Sequence, residues 1–338
     1  MAASAAIRRL LRRGHYEVAM RGFDLIHGLG FGESALRDRP GARILIYHGL
    51  DKRGGSGFNT RFTGVAEFER QVAWMSTHFR IVSLDQYFAG VRDPVKLTVV
   101  LTFDDGYASW LDLALPVLER YQAPAAFFVC AIRSIGQDTL WPDRLDIAMH
   151  RHRAPVVIRG ETFEYHPRKR EHVSTRGSGT LKARCKHSDW SLIEEALGAF
   201  PGGSTEPLPE DLAPYWRMLD EAGLRRLAAS PLATIGSHGV RHLTLPHQAA
   251  DVARTEMAES KRWLEAVIER PVKALAFPDG AWNRDVVAAA AESDYTQLFG
   301  GDMTADDVSV SPLLRARFTM NPFISWENQV RCIYSGGY

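Results

Sequence analysis

The segment LTVVLTFDDGY, residues 97–107, joins an apolar run to two adjacent aspartates. The run Leu97–Phe103 predicts a buried β-strand. In parallel α/β proteins the loops that follow the strands converge on one face, so active sites gather there. Two adjacent carboxylates at a strand end are costly unless a cation or a proton separates their charges. Asp104 and Asp105 therefore indicate either a metal-associated site or an ordinary Asp-Gly turn.

Strand-like and helix-like segments alternate along much of the remaining chain. This alternation is typical of parallel β/α units, in which helices cover a sheet. The predicted strands are 42–48, 124–129, 233–236 and 272–277, and the predicted helices lie near 65–79, 111–120 and 249–268.

Two regions do not follow this pattern. Residues 1–40 are predicted to be a helical lead-in to a body that spans 41–338, and residues 7–13 have the pattern of a basic amphipathic helix. That helix either packs on the body with a solvated face or lies on a membrane surface. Residues 150–215 are predicted to be an insertion with a hairpin over 156–165 and a helix over 191–200.

The composition is that of an ordinary soluble enzyme. The 338 residues include 41 Lys+Arg and 40 Asp+Glu, so the net charge of +1 predicts no nucleic-acid partner. No apolar run approaches the roughly 18 residues that cross a bilayer, and no secretory h-region is recognisable, which predicts a cytoplasmic location, at most peripheral to the inner face of a membrane. The three cysteines are widely spaced and predict no disulfide framework.

A second polar segment, SHGVRH at residues 237–242, follows the predicted strand 233–236. Histidines four residues apart can present both imidazoles to one ion if the segment is a helical turn. His238, His242 and one aspartate would make a two-histidine, one-carboxylate site with open positions, which is typical of hydrolytic metal centres. The second aspartate would then accept a proton from water. Zinc is the first choice for the ion, and cobalt, nickel or iron would tolerate the same ligands.

The order of these segments resembles that of the polysaccharide deacetylases, carbohydrate esterase family 4. The resemblance runs from about Arg43 to Phe318, and it implies a distorted (β/α) barrel with fewer than eight regular strands. Four segments carry it: TFDDGY at 102–107, SHGVRH at 237–242, the helical segment 256–265, and a divergent FPDG at 277–280.

The resemblance also implies a role for each matching residue. Asp104 would be the general base, and Asp105 would bind the metal together with His238 and His242. The backbone N–H of Asp279 would be an oxyanion-hole donor.

A general acid is implied less directly. Many relatives carry an acid histidine near the C-terminus, whereas this chain has no histidine after His247. A permuted branch carries that histidine on the N-terminal strand, and IYH at 46–48 resembles its motif. His48 is therefore assigned as the acid, the alternative being a buried, hydrogen-bonded histidine.

The third motif departs from the family pattern. Ala276 stands where relatives often have an arginine that orients the base, and Asp279 replaces a tyrosine. Arg315 and Arg317 are candidates to substitute for that arginine, the alternative being ordinary surface arginines. Trp141, Tyr107 and Trp282 flank the motifs and are candidates for a sugar platform, with Trp141 first, although core packing is the common fate of such rings.

These observations predict a metal-dependent hydrolase that removes acetyl from an N-acetylated amino sugar, either in a glycan or in a lipid- or nucleotide-linked intermediate. Two alternatives remain open: hydrolysis of small amides or cyclic imides at the same metal site, and a non-catalytic glycan-binding protein. The sequence predicts no oligomeric state.

Overall fold

The computed structural model describes residues 40–54, 59–177, 179–203, 206–301 and 310–336. The predicted basic helix over 7–13, and with it the predicted membrane contact, lies outside these residues. Among the helices that are described, none is long and apolar enough to cross a bilayer.

The strands belong to one large parallel sheet and two small ones. In chain order they are β1 (Gly41–Tyr47), β2 (Leu50–Asp51), β3 (Thr63–Gly64), β4 (Arg80–Ile81), β5 (Leu97–Asp105), β6 (Ala125–Val129), β7 (Val156–Ile158), β8 (Glu161–His166), β9 (Glu171–Ser174), β10 (Ala233–Ser237), β11 (Ala274–Ala276), β12 (Gln297–Gly300), β13 (Leu314–Ala316) and β14 (Phe318–Thr319).

The large sheet is a nearly closed barrel. Its order is β13-β12-β11-β10-β6-β5-β1-β14, every pairing is parallel, and β4 adds to β5. The segment 314–319 completes the ring, because β13 pairs with β12 and β14 pairs with β1 on either side of Arg317. This interruption, together with the single register pair Ser237–Leu275 between β10 and β11, distorts the barrel. The predicted distorted (β/α) barrel is confirmed.

Helices alternate with the strands along the described part of the chain. They are α1 (Val65–His78), α2 (Leu84–Phe88), α3 (Leu115–Arg120), α4 (Trp141–Arg151), α5 (Leu181–Lys186), α6 (Trp190–Gly198), α7 (Glu221–Ala229), α8 (Ala250–Ile268), α9 (Arg284–Glu292) and α10 (Trp326–Ser335). The helix predicted near 111–120 is a π-helical turn over Trp110–Ala114 that continues into α3. The helices predicted near 65–79, 191–200 and 249–268 are found within two residues of their expected ends.

Side chains of the barrel strands alternate between two apolar clusters. Every residue of β5 is buried, as expected of a central parallel strand with both faces covered. Tyr47, Phe103 and Phe127 stack toward the helices, with ring centroids 5.5 and 5.0 Å apart. A smaller cluster that includes Val100, Ala126, Phe128, Ala274 and Ala276 fills the barrel interior. Thr102 and Asp104 share the register of Val100, so Asp104 points into the barrel.

The region predicted as an insertion contains a separate antiparallel sheet. The hairpin predicted over 156–165 is a three-stranded sheet of β7, β8 and β9. Helices α5 and α6 follow it, and α5 brings Lys182 and Lys186 to the cavity that holds Asp104.

Candidate active site

The carboxylates of Asp104 and Asp105 both approach His238 although the two residues are neighbours on one strand. Successive strand residues normally point to opposite faces. Asp105 has a φ of 89°, which breaks this alternation and costs on the order of 1–3 kcal/mol that the surrounding structure must offset. Asp104 Oδ2 lies 3.9 Å and Asp105 Oδ1 lies 3.6 Å from the same nitrogen, His238 Nε2.

His238 and His242 converge on Asp105. They do so without a helical turn, because the segment after β10 is an irregular loop in which Gly239 and His242 have φ values of 76° and 58°. The loop still brings the two rings to a centroid distance of 5.1 Å. His242 Nε2 lies 3.3 Å from Asp105 Oδ1.

These three side chains fit a divalent metal ion. Their ligand atoms lie within 4.8 Å of one another, and all three side chains are buried. His238 Nδ1 must donate its 2.7 Å hydrogen bond to the Ala276 carbonyl, which leaves a lone pair on Nε2. Burial lowers the pKa of His238 to about 4, so its ring is neutral at pH 7. Asp105 Oδ1 is buried without a hydrogen-bond partner among the described residues, as a metal-binding oxygen would be.

Glu256 of α8 holds the histidine loop in place. Its Oε2 accepts hydrogen bonds of 2.8 Å from the backbone N–H groups of both Val240 and Arg241. The side chain is 2% exposed, and burial raises the pKa of Glu256 above its ordinary value. The helical segment over 256–265 thus begins with the residue that organises the loop carrying His238 and His242.

Arg317 holds Asp104 through two hydrogen bonds. Its Nη1 and Nη2 donate to Asp104 Oδ1 and Oδ2, each over 2.6 Å, and Nη1 also reaches Thr102 Oγ1 at 3.3 Å. Burial alone would raise the pKa of Asp104, but the charge of Arg317 outweighs it and keeps this pKa below its ordinary value. Asp104 is therefore ionised at neutral pH despite being buried.

Of the two arginines considered for the place left by Ala276, only Arg317 contacts Asp104. Arg315 instead donates to the carbonyls of Pro312 and Leu314. Arg317 enters the barrel interior, with its guanidinium 5.1 Å from the centre of the Phe128 ring. Arg315 lies within β13 and Arg317 lies at the interruption between β13 and β14, so the two side chains reach different partners.

His48 and Asp279 line the same cavity as Asp104, His238 and His242, which has a volume of about 190 Å³. His48 follows β1, and burial lowers its pKa below the ordinary value. Asp279 has a φ of 58°; its carboxylate accepts a 2.8 Å hydrogen bond from Thr244 and pairs with Lys186. Burial opposes ionisation, but neighbouring His242 and Lys186 lower the pKa of Asp279 to about 2.

Trp141 and Tyr107 cannot serve as a sugar platform in this structure. Trp141 is 3% exposed and its Nε1 donates to the His242 carbonyl over 3.1 Å. Tyr107 is fully buried and its hydroxyl donates to Asp143. Neither ring presents a face to solvent, so both support the site from behind. Trp282 is half-buried and packs against the core.

A second cavity of about 410 Å³ adjoins the first. The two share Ile46, His48, Arg61 and Thr319, and Phe323 lines the second. Phe323 is 75% exposed, the highest value for a large apolar side chain in the described part of the chain. An aromatic face is therefore available beside the site, on a residue that the sequence analysis did not single out.

Sequence reasoning also missed several charged residues of the site: Arg61, Asp143, Lys182 and Lys186. The lysines stand four apart on α5, which places them on one helix face. That spacing is the one signal in the sequence that could have drawn attention to them. Arg61 and Asp143 stand in segments without any recognisable pattern.

Comparison with known proteins places this site in a family. The family model described as polysaccharide deacetylase matches residues 92–298, more than half of the chain. No curated protein sequence matches closely enough to count as a relative.

Several solved structures share the fold. IcaB from Ammonifex degensii is 17% identical, with a TM-score of 0.55, and the match covers 88% of this chain and 98% of that one. A Streptococcus pyogenes deacetylase in complex with acetate is 17% identical, with a TM-score of 0.52 and coverage of 88% and 99%. A Bacillus cereus polysaccharide deacetylase is 15% identical, with a TM-score of 0.53 and coverage of 88% and 69%. The structural likeness shows a shared fold, and the family model adds the assignment: the chain belongs to the polysaccharide deacetylase family.

Proposed function

We propose that this protein is a metal-dependent hydrolase that removes the acetyl group from an N-acetylated amino sugar. The observation that carries the proposal is one cluster of buried side chains. It combines the Asp105, His238 and His242 ligand set with Asp104, a carboxylate that is kept ionised by Arg317 and that lines one cavity with both histidines. A complete set of metal ligands beside a held base is the arrangement that amide hydrolysis needs.

Asp105, His238 and His242 would hold the ion, and this ligand set favours Zn²⁺. When bound, the ion would supply a Lewis acid for the acetamide carbonyl and lower the pKa of water. Asp104 would accept the proton of the attacking water. Arg317 occupies one acceptor position on each Asp104 oxygen, and because a carboxylate has about four such positions, others stay open.

His48 would complete the reaction. As the water oxygen bonds to the acetyl carbon and the C–N bond breaks, the departing amine needs a proton. His48 lines the cavity together with Asp104 and would deliver this proton. The backbone N–H of Asp279, whose positive φ fixes the loop at the cavity edge, would donate to the oxyanion. The products are acetate and the free amino sugar.

The substrate would extend from the catalytic cavity into the adjoining one. A volume of about 190 Å³ is below the roughly 300–1,000 Å³ of most ligand pockets, whereas the two cavities together fall within that range. Phe323 would stack on a second sugar ring. The acetate in the Streptococcus pyogenes neighbour is the expected co-product.

An acetate-release screen tests this function. Purified protein would be incubated with N-acetylated monosaccharides, their oligomers, lipid- and nucleotide-linked forms, and small cyclic imides. We expect release from an N-acetylated sugar, and a loss of at least about 100-fold in Asp104→Asn with metal content unchanged. Asp112→Asn, which changes an exposed aspartate, is the matched control. Imide opening without sugar deacetylation would contradict the substrate class, and full activity of Asp104→Asn would contradict the mechanism.

A further inference from the structure

Arg61 is a cationic side chain embedded among carboxylates beside the candidate metal ligands. It lies between β2 and β3, and its side chain is only 22% exposed. Nη1 donates to Asp105 Oδ2 over 3.2 Å, and Nη2 donates to Asp143 Oδ1. Asp146 Oδ2 lies 3.7 Å from the same Nη2. Asp105, Asp143 and Asp146 are all buried, so this guanidinium balances charge that solvent does not reach.

The two oxygens of Asp105 have different surroundings. Oδ2 accepts from Arg61, whereas Oδ1 faces the Nε2 atoms of His242 and His238 at 3.3 and 3.6 Å. A carboxylate can rotate about its last bond or bind an ion through both oxygens. The hydrogen bond from Arg61 restricts this freedom, because it engages Oδ2 while Oδ1 faces the histidines.

Asp143 in turn fixes Arg61. Asp143 is fully buried on α4, and besides Arg61 it accepts hydrogen bonds from Tyr107 Oη at 3.0 Å and from Asn59 Nδ2 at 3.2 Å. The side-chain oxygen of Asn59 accepts from Arg61 Nε at 3.3 Å. The guanidinium is therefore bound on several edges, and its position relative to Asp105 does not depend on a single contact.

We propose that Arg61 is a positioning residue for the metal site: held by Asp143, it orients Asp105 so that Oδ1 alone points to the ion. The inference rests on the proposed function, because it presumes that Asp105, His238 and His242 bind a metal. It extends that function by naming a residue that touches the ligand rather than the ion.

The proposal predicts that removing Arg61 weakens metal binding, which is the opposite of what its charge alone would do. Removing a positive charge near a cation site should strengthen cation binding by Coulomb's law. Losing the hydrogen bond that orients a ligand typically weakens metal binding by about 10–100-fold. Lys186 offers a charge-matched comparison, since it lines the same cavity and pairs with Asp279 rather than with a ligand.

The test is a Zn²⁺ titration of metal-stripped, full-length protein by competition with a chromophoric chelator. We expect the Zn²⁺ Kd to rise about 10–100-fold in Arg61→Met, and to stay unchanged or fall in Lys186→Met. Asp143→Asn, which removes the charge that holds Arg61, should raise Kd in the same direction by a smaller factor. An Arg61→Met protein that binds Zn²⁺ as tightly as the parent, or more tightly, would overturn the proposal.

A second variant covers the case in which Arg61→Met does not fold. Arg61→Lys keeps the positive charge but cannot bridge Asp105 and Asp143 through two nitrogens of a rigid fork. We expect it to fold, as judged by circular dichroism, and to bind Zn²⁺ more weakly than the parent; an unchanged Kd would contradict the positioning role. A parent protein that binds no Zn²⁺ would overturn the proposed function as well, whereas equal Kd values in parent and Arg61 variants would overturn only this inference.

Discussion

Arg317→Met removes the two hydrogen bonds that hold Asp104 ionised. Each is charge-assisted and 2.6 Å long, and both side chains are nearly inaccessible, at 1% and 5% exposure. Breaking a buried ion pair from one side costs roughly 3–5 kcal/mol, because the remaining charge has no compensation. We expect the free energy of unfolding at pH 7 to fall by about that amount.

The same change alters the pH dependence of activity. With Arg317 gone, burial is the dominant influence on Asp104, so the pKa of its carboxyl rises. A lost interaction of about 3 kcal/mol corresponds to about two pH units. The acid limb of kcat/KM should therefore move up by about two pH units, and kcat at its optimum should fall by at least about 100-fold, since the base is no longer oriented.

The assay is acetate release as a function of pH, combined with urea unfolding. Arg315→Met is the matched control, because Arg315 contacts backbone carbonyls and the Phe88 ring rather than Asp104. We expect this control to keep the parent profile and to change stability by no more than about 0.5 kcal/mol. An Arg317→Met protein with the parent rate and acid limb would refute the assignment of Asp104 as an arginine-held base.

Three further outcomes follow from the site. Asp105 raises the pKa of His242 against the effect of burial, whereas the pKa of His238 is about 4. Below the pKa of His242, one proton competes with the metal for this ring. In a series of Zn²⁺ titrations, the affinity should therefore fall about tenfold per pH unit between pH 6 and 5. A Kd that does not change with pH would contradict this. Glu256→Ala leaves two buried loop N–H groups unpaired, so urea unfolding should show a loss of roughly 2–4 kcal/mol, together with weaker Zn²⁺ binding; unchanged values would show that the loop does not depend on this carboxylate. Phe323→Ala should raise KM for an N-acetylated disaccharide several-fold and leave the monosaccharide unaffected, and equal effects on both substrates would exclude a second-sugar contact.

Much of the barrel was predictable because its strands are buried on both faces. Such strands are continuous apolar runs, and the run over residues 97–103 is the clearest of them. The short strand over 314–316 and its interruption at Arg317 were not predictable, since three-residue strands have no period to detect. The side chain that reaches Asp104 depends on that interruption, which is why Arg315 and Arg317 could not be distinguished from the sequence.

The clustering of Asp105, His238 and His242 was predictable from residue type and position at strand ends, but the surroundings of these candidate ligands were not. Arg61 is 44 residues away in sequence from Asp105, to which it donates. Lys186 is 93 residues away in sequence from its partner Asp279. Trp141 stands next to the expected active face in sequence, yet its ring is buried, because proximity in sequence says nothing about which side of a helix meets the core. Long-range pairing and side-chain direction were the missing information in both cases.

The most direct measurement for the central claim is acetate release by metal-stripped protein during stepwise addition of Zn²⁺. If Asp105, His238 and His242 bind the ion that the reaction needs, activity should be absent at the start, rise linearly and stop rising at about one ion per chain. Asp105→Ala should remain inactive throughout the same titration. Full acetate release by the stripped protein in excess chelator would contradict the account.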